Sequence, residues 1–277
     1  MNLFDKFRYD GKRVLVVGGA TGMGAAAAAL AKDAGAEVVV MDFADIPLDG
    51  VGKIQLNLAD RASIDAAVDE CGGRVDALFS CAGVADGTPG IERINFVGHR
   101  HLIDRLRSKA MLPRGSAICL ISSSAGLGWE TNLEELSEVL DIPDFDAAAK
   151  WFEDHEKSDY LTTKQAVCAY VARSSFELLK EGIRINAVCP GPTDTPLAQA
   201  NKDMWLGFAA DYREEVGLEP FTPMEQANPV LFLCSDAAAA ITGITLLSDA
   251  GWLSSSTTGS FPDGKWIADI LLNRTTE

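Results

Sequence analysis

Tyr160 and Lys164 stand four positions apart in the run Tyr160-Leu161-Thr162-Thr163-Lys164. On a helix this spacing puts both side chains on one face. A free phenol titrates at about 10 and is a poor base at neutrality, but a neighbouring ammonium favours the phenolate. Such a pair can move a proton in step with hydride transfer. It can equally be an ordinary pair on a helix surface, so its surroundings must decide. A second run, Val17-Gly18-Gly19-Ala20-Thr21-Gly22-Met23-Gly24, links a short apolar stretch to an alanine-rich one. Glycines at a strand-to-helix turn let a pyrophosphate approach backbone N–H groups, and the helix N-terminus adds favourable partial charge. A plain strand–helix turn can look the same. Asp42 separates the two readings. It ends the next apolar run, 18 positions after Gly24, close to the roughly 20 expected of an acid that hydrogen-bonds an adenosine ribose. Its carboxylate would repel a 2′-phosphate, and Met23 and Phe43 occupy the places of a compensating base. The expected cofactor is therefore NAD rather than NADP.

These groups need a scaffold, and the periodicity of the chain supplies one. Arg13–Val17, residues 37–41, residues 75–81 and Ala117–Ile121 are short, continuous apolar runs, while residues 25–34 and 60–71 carry helical spacing. Unbroken apolar strands alternating with helices imply a doubly wound α/β fold, a parallel sheet flanked by helices. Ligands in such sheets sit at the carboxyl ends of the strands. No repeat or low-complexity linker divides residues 1–277, so a single Rossmann-type domain is expected.

Composition narrows the function. The chain has 277 residues, 47% hydrophobic and 23% charged, with a formal net charge of −16. That charge opposes binding to nucleic acid or anionic lipid. The six cysteines form no C-x-x-C pair and sit mostly in apolar runs, as free thiols in a reducing compartment would. His99 and His101 are two apart and do not share a helix face, so no metal site is expected. The first residues carry charges throughout, and no apolar stretch is long enough to span a bilayer. A cytoplasmic location is expected.

Together the motifs resemble the short-chain dehydrogenase/reductase family over roughly residues 11–252. Gly18, Gly22 and Gly24 match its glycine pattern, with Val17 in place of the usual threonine. Ser80-Cys81-Ala82-Gly83 stands where the family has Asn-Asn-Ala-Gly. Asn57-Leu58 replaces the usual Asp-Val beside the adenine. Ile94-Asn95-Phe96, Ile121-Ser122-Ser123-Ser124-Ala125-Gly126, and Asn186-Ala187-Val188-Cys189-Pro190-Gly191-Pro192-Thr193-Asp194-Thr195 follow in the family order. The resemblance implies Tyr160 as general acid/base, and Lys164 as the group that lowers its pKa and holds the nicotinamide ribose. Ser123 would bind the substrate oxygen, and Asn95 would support a water-mediated proton relay. It further implies Gly18, Thr21, Gly22, Met23, Gly24, Asp42, Phe43, Asn57, Leu58, Cys81, Ala82, Gly83, Tyr160, Lys164, Pro190, Gly191, Thr193 and Thr195 around the cofactor, with Thr195 at the carboxamide. Read without the resemblance, Asn95 and Ser123 are simple turn or cap residues.

Ser123 and Tyr160 are 37 positions apart, where the family commonly has about a dozen residues. A long insertion here resembles the bacterial 3α-hydroxysteroid dehydrogenase/carbonyl reductase group, which includes coniferyl-alcohol dehydrogenases. The implied reaction interconverts a bulky apolar secondary alcohol, steroid-like or terpenoid, and its ketone. The alternatives are an aryl or allylic alcohol, and a catalytically silent NADH-sensing scaffold. A homo-oligomer, dimer or tetramer, is expected from the family. Residues 126–159 hold eleven acids and two lysines, with apolar Leu133, Leu136, Leu140, Phe145, Ala148, Ala149 and Phe152 at helical spacing. Two amphipathic helices broken at Pro143 are expected, with the acids in water. Their apolar faces could pack on the chain's own body. They could also roof the substrate pocket together with residues 195–219, which carry Leu197, Met204, Trp205, Leu206 and Phe208, or alter a subunit contact. Residues 253–277 form a tail beyond the resemblance.

Overall fold

A computed structural model describes residues 3–274. Seven strands form one parallel sheet in the order β3-β2-β1-β4-β5-β6-β7. They are β1 Arg13–Val17, β2 Glu37–Asp42, β3 Gly52–Gln55, β4 Ala77–Ser80, β5 Ala117–Ile121, β6 Arg184–Pro190 and β7 Thr245–Ser248. The central strands are apolar along their whole length because helices cover both faces. On one face lie α1 (Gly22–Asp33) and the later α10 (Pro223–Cys234). Ala27, Ala28 and Ala31 meet Val14, Val16, Val38 and Val40 there. Alanines have no bulk beyond Cβ, so this helix can lie close to the sheet. On the other face lie α2 (Arg61–Cys71), α3 (Gly98–Ser108) and α6 (Tyr160–Lys180), where Ile64, Leu102, Ile103 and Val167 pack on Leu15, Val39 and Leu78. The chain reverses its winding between β1 and β4, which opens a crevice at their carboxyl ends.

The insertion folds as two helices, α4 (Leu133–Leu140) and α5 (Phe145–Asp154), with Pro143 between them. Asp144 caps α5 by accepting hydrogen bonds from Asp146 and Ala147 N–H. The pair packs on the chain's own core. Leu136, Val139, Phe145, Ala148, Ala149, Trp151 and Phe152 are buried, and the Phe96 ring lies 6.1 Å from Phe152 and 6.0 Å from Tyr170. Leu133, expected in the apolar stripe, is exposed instead, and Val139 holds the inner position. The acids face water except for Glu135 and Asp159, which are half-buried. Residues 162–171 of α6 are buried within the single chain, against β6, the turns at Arg93–Val97 and Ser124–Gly126, and α4.

Among the described residues five further short helices complete the order. They are α7 (Pro196–Ala200), α8 (Lys202–Trp205) and α9 (Ala210–Val216) before α10, and α11 (Trp252–Thr258) and α12 (Lys265–Leu271) in the tail. Among the described residues no helix is long and apolar enough to cross a membrane.

Candidate active site

The glycine run forms the β1–α1 turn, and two of its glycines are required by contact. Gly18 has φ +82°, and a Cβ there would strike the backbone of Ala82. A Cβ on Gly24 would strike the Gly18 carbonyl oxygen. The turn and the Cys81-Ala82-Gly83 loop are thus pressed together, which leaves backbone groups lining an open cavity of about 550 Å³. Gly18, Thr21, Gly22, Met23, Gly24, Asp42, Phe43, Asn57, Leu58, Cys81, Ala82, Gly83 and Thr195 all line it. Asp42 closes the far end. Its Oδ2 accepts from Ala20 N–H at 2.8 Å and its Oδ1 from Ala44 N–H at 2.9 Å. A carboxylate has about four acceptor positions, so free ones remain for a sugar diol. Among the described residues no lysine or arginine lines this cavity. The cradle fits a dinucleotide.

A second cavity of about 280 Å³ adjoins the first across Met23, Cys81, Gly83, Thr195 and Leu197. Ser123, Tyr160, Lys164, Pro190, Gly191 and Thr193 lie along it. Ser123 follows β5 and turns the chain through a short 3-10 segment by accepting from Ala125 N–H at 3.2 Å. Tyr160 opens α6. Asp159 caps that helix through Thr162 N–H, and Asp86, reaching across from the β4 loop, accepts from Tyr160 N–H at 2.6 Å. Asp86, Ser122 and Ser124 add polar groups to the lining, and Leu197, Met204, Trp205, Phe208 and Leu271 form an apolar wall.

The electrostatics reverse one expectation. Burial pushes the Tyr160 phenol up to about 12, against a hydrogen bond from Ser123 that pulls it down. Lys164 does not bond the hydroxyl. Its Nζ donates to the Ile121 carbonyl at 3.1 Å and sits 5.5 Å from the centre of the Tyr160 ring. Burial pulls Lys164 itself down to about 8. Desolvation thus outweighs the Ser123 hydrogen bond, and the chain alone holds a neutral phenol, ready to give a proton.

Asn95 lies in a π-turn at Arg93–Val97, where Gly98 N–H reaches the Arg93 carbonyl. Its side chain clamps Val84, accepting from the N–H at 2.8 Å and donating to the carbonyl at 3.0 Å. It also donates to Thr163 Oγ at 3.3 Å. The amide is therefore committed to holding the β4 loop beside Lys164. Thr195 spends its hydroxyl as the cap of α7, accepting from Ala198 N–H at 3.1 Å.

Three residues with a place in the site carried no local signal. Asp86 is one, and Leu271 of the tail is another. The third is His99, buried on α3. Its Nε2 lies 3.0 Å from the Ala82 carbonyl and its Nδ1 2.5 Å from Ser80 Oγ. A carbonyl can only accept, so Nε2 carries the proton and Nδ1 accepts from Ser80. Burial pushes this imidazole down to about 4. The unfolded chain would protonate it near 6.5, so its contribution to stability is complete above pH ~6.5 and lost as the pH falls toward 4, about 3 kcal/mol in all. The wild type should lose melting temperature more steeply between pH 7 and pH 4.5 than His99→Gln, which cannot titrate. Parallel curves would refute the neutral buried imidazole. Among the described residues no cluster of His, Cys, Asp and Glu could hold a metal ion.

The insertion contributes no residue to the wall of the substrate cavity; residues 195–219 do, through Thr195, Leu197, Ala198, Met204, Trp205 and Phe208. The roof expected from the insertion is thus built by that segment and the tail. The apolar faces of α4 and α5 are already spent on Phe96 and the core beneath them.

Comparison with known proteins agrees with this architecture. The sequence profile described as Enoyl-(Acyl carrier protein) reductase matches residues 143–253. The 2,5-dichloro-2,5-cyclohexadiene-1,4-diol dehydrogenase LinX of Sphingobium indicum is 30% identical over 269 residues, covering 88% of this chain and 97% of that protein. The coniferyl-alcohol dehydrogenase of a Pseudomonas strain is 25% identical, with the same coverage. The 3-alpha-hydroxysteroid dehydrogenase/carbonyl reductase of Comamonas testosteroni is 26% identical and covers 86% of this chain and 95% of its own. Among solved structures, the 3-alpha-hydroxysteroid dehydrogenase from Pseudomonas sp. B-0831, complexed with NADH, superposes with a TM-score of 0.72 at 25% identity. It spans 90% of this chain and 98% of its own.

Proposed function

The chain belongs to the short-chain dehydrogenase/reductase family, and from that premise we propose that it is an NAD-dependent enzyme that interconverts an apolar secondary alcohol and its ketone. One juxtaposition carries the reading: Ser123, Tyr160 and Lys164 line a cavity with one apolar wall that opens directly into a glycine-walled cavity lined by Asp42. Bound there, nicotinamide supplies the hydride donor or acceptor. The chain's own residues do the rest. Gly18, Gly22 and Gly24 let the phosphates approach backbone amides, and Asp42 takes the ribose hydroxyls. Lys164 holds the nicotinamide ribose. The Ser123 hydroxyl donates to the substrate oxygen, and Tyr160 Oη gives that oxygen a proton in reduction or takes it in oxidation. Asn95 keeps the loop at Val84 in register with Lys164.

Support for an apolar substrate comes from the apolar cavity wall, and support for a ring alcohol from relatives such as cis-4-hydroxycyclohexanecarboxylate dehydrogenase of Sinomonas cyclohexanicum. An aryl or allylic alcohol is the second reading. Trp205 favours it, because its ring lies 4.9 Å from that of Tyr160 and would flank a planar substrate. A silent NADH-sensing scaffold would need neither Tyr160 nor Lys164, and both are present.

The six cysteines are unpaired, which suits the cytoplasm. For a homo-oligomer, residues 162–171 of α6 are already covered within the chain, which favours association through another face. The test is NAD⁺ reduction against cyclohexanols, monoterpenols, cinnamyl alcohols and hydroxysteroids. NADH formation with at least one class is expected. Silence across the whole panel at saturating NAD⁺ would overturn the proposal.

A further inference from the structure

The tail beyond β7 folds back over the substrate cavity. Trp252 of α11 is buried against Phe208, with ring centres 4.7 Å apart. Phe261, also buried, lies 5.1 Å from the ring of Tyr212, whose hydroxyl donates to the Ala250 carbonyl at 3.0 Å. These rings and Ala268 form a small core of their own, with Phe208 and Leu271 packed against it. Phe208 is thus held from behind by the tail, while its front lines the cavity. Arg213 fixes the same segment by donating to the carbonyls of Leu206 and Phe208, at 2.5 and 2.6 Å.

The tail's end is anchored at a second point. Asn273 Nδ2 donates to Thr131 Oγ at 2.7 Å and to the Gly128 carbonyl at 3.3 Å. Gly128 has φ +74°, and a Cβ there would strike the Leu271 carbonyl oxygen. Gly128 comes shortly after Ser123 in the chain, so α12 is docked beside the catalytic serine. Leu271, the last residue of α12, lines the same stretch of the cavity as Phe208 and Trp205. The half-open space they bound is about 280 Å³, just below the roughly 300–1,000 Å³ of pockets that hold drug-sized ligands. Part of it adjoins the cofactor cavity.

Resting on the alcohol dehydrogenase reading above, we propose that Leu271 of the C-terminal tail is a specificity-determining residue that limits the substrate to alcohols of one or two rings. A longer fused-ring skeleton meets the Leu271 side chain before its hydroxyl reaches Ser123 and Tyr160. Shortening that side chain lengthens the cavity, and enlarging it shortens the cavity.

The experiment measures kcat/KM for cyclohexanol, 2-decalol and a 3-hydroxysteroid with NAD⁺, for wild type, Leu271→Ala and Leu271→Phe. Wild type should favour the one- and two-ring alcohols over the steroid. Leu271→Ala should raise the ratio of 2-decalol or steroid to cyclohexanol by about tenfold, the lower end of what one methylene is worth in an apolar pocket. Leu271→Phe should lower the same ratio. The opposite directions keep the result readable if one variant folds poorly. A wild type that prefers the steroid, or ratios unmoved in the folded variants, overturns the role of Leu271 while leaving the enzyme assignment standing. A wild type inactive on every alcohol removes the assignment itself, and Leu271's role with it.

Discussion

Tyr160→Phe should lower turnover by about 10²-fold or more, the usual worth of a positioned general acid–base group, while NADH still binds. The substitution keeps the ring, its contact with Trp205 and the start of α6, and removes only the hydroxyl beside Ser123. Fluorescence titration of NADH and steady-state rates separate the two effects. Near-normal turnover in this variant would refute the assignment. The direction of the pH dependence follows from the buried phenol. Its titration is pushed up to about 12, so the proton needed for ketone reduction is present throughout the neutral range. The base needed for alcohol oxidation is scarce at pH 7 and grows as the pH rises. Oxidation should therefore climb with pH above neutrality, and reduction should not. Lys164, pulled down to about 8, loses its charge in the same interval, which sets an upper bound on that climb. Lys164→Ala should weaken both turnover and cofactor affinity, because one side chain serves both.

Cofactor choice should be equally sharp. We expect kcat/KM with NAD⁺ to exceed that with NADP⁺ by about 10²-fold, the scale of like charges held close at a partly buried site. Asp42 is fixed by Ala20 and Ala44 N–H, so it cannot swing away from a 2′-phosphate. Among the described residues no lysine or arginine lines the cavity to compensate. Asp42→Asn keeps one acceptor and removes the charge, and should narrow the gap. Asp42→Ala should narrow it too, with some loosening of the turn that Asp42 braces. Equal efficiency with the two cofactors in the wild type would rule out Asp42 as the selector.

The sequence alone determined whatever depends on neighbours along the chain. Tyr160 and Lys164 share a helix face because four positions make about one turn. The glycine turn and the acid ending β2 are set by a single strand–helix–strand unit. The apolar runs marked four of the seven strands, and the stripe over residues 133–152 marked two helices broken at Pro143. A stripe shows that a face will be covered but not by what, because burial stabilises any apolar surface alike. Only the tertiary structure decided that α4 and α5 cover Phe96 and the α6 flank, and that the tail walls the substrate cavity through Leu271. It alone brought Asp86 to Tyr160 N–H across 74 positions, and His99 to the Ala82 carbonyl. It also reversed the charge argument at Tyr160. Spacing places an ammonium near a phenol, but whether the phenol ionises depends on how completely the surrounding chain removes water from it.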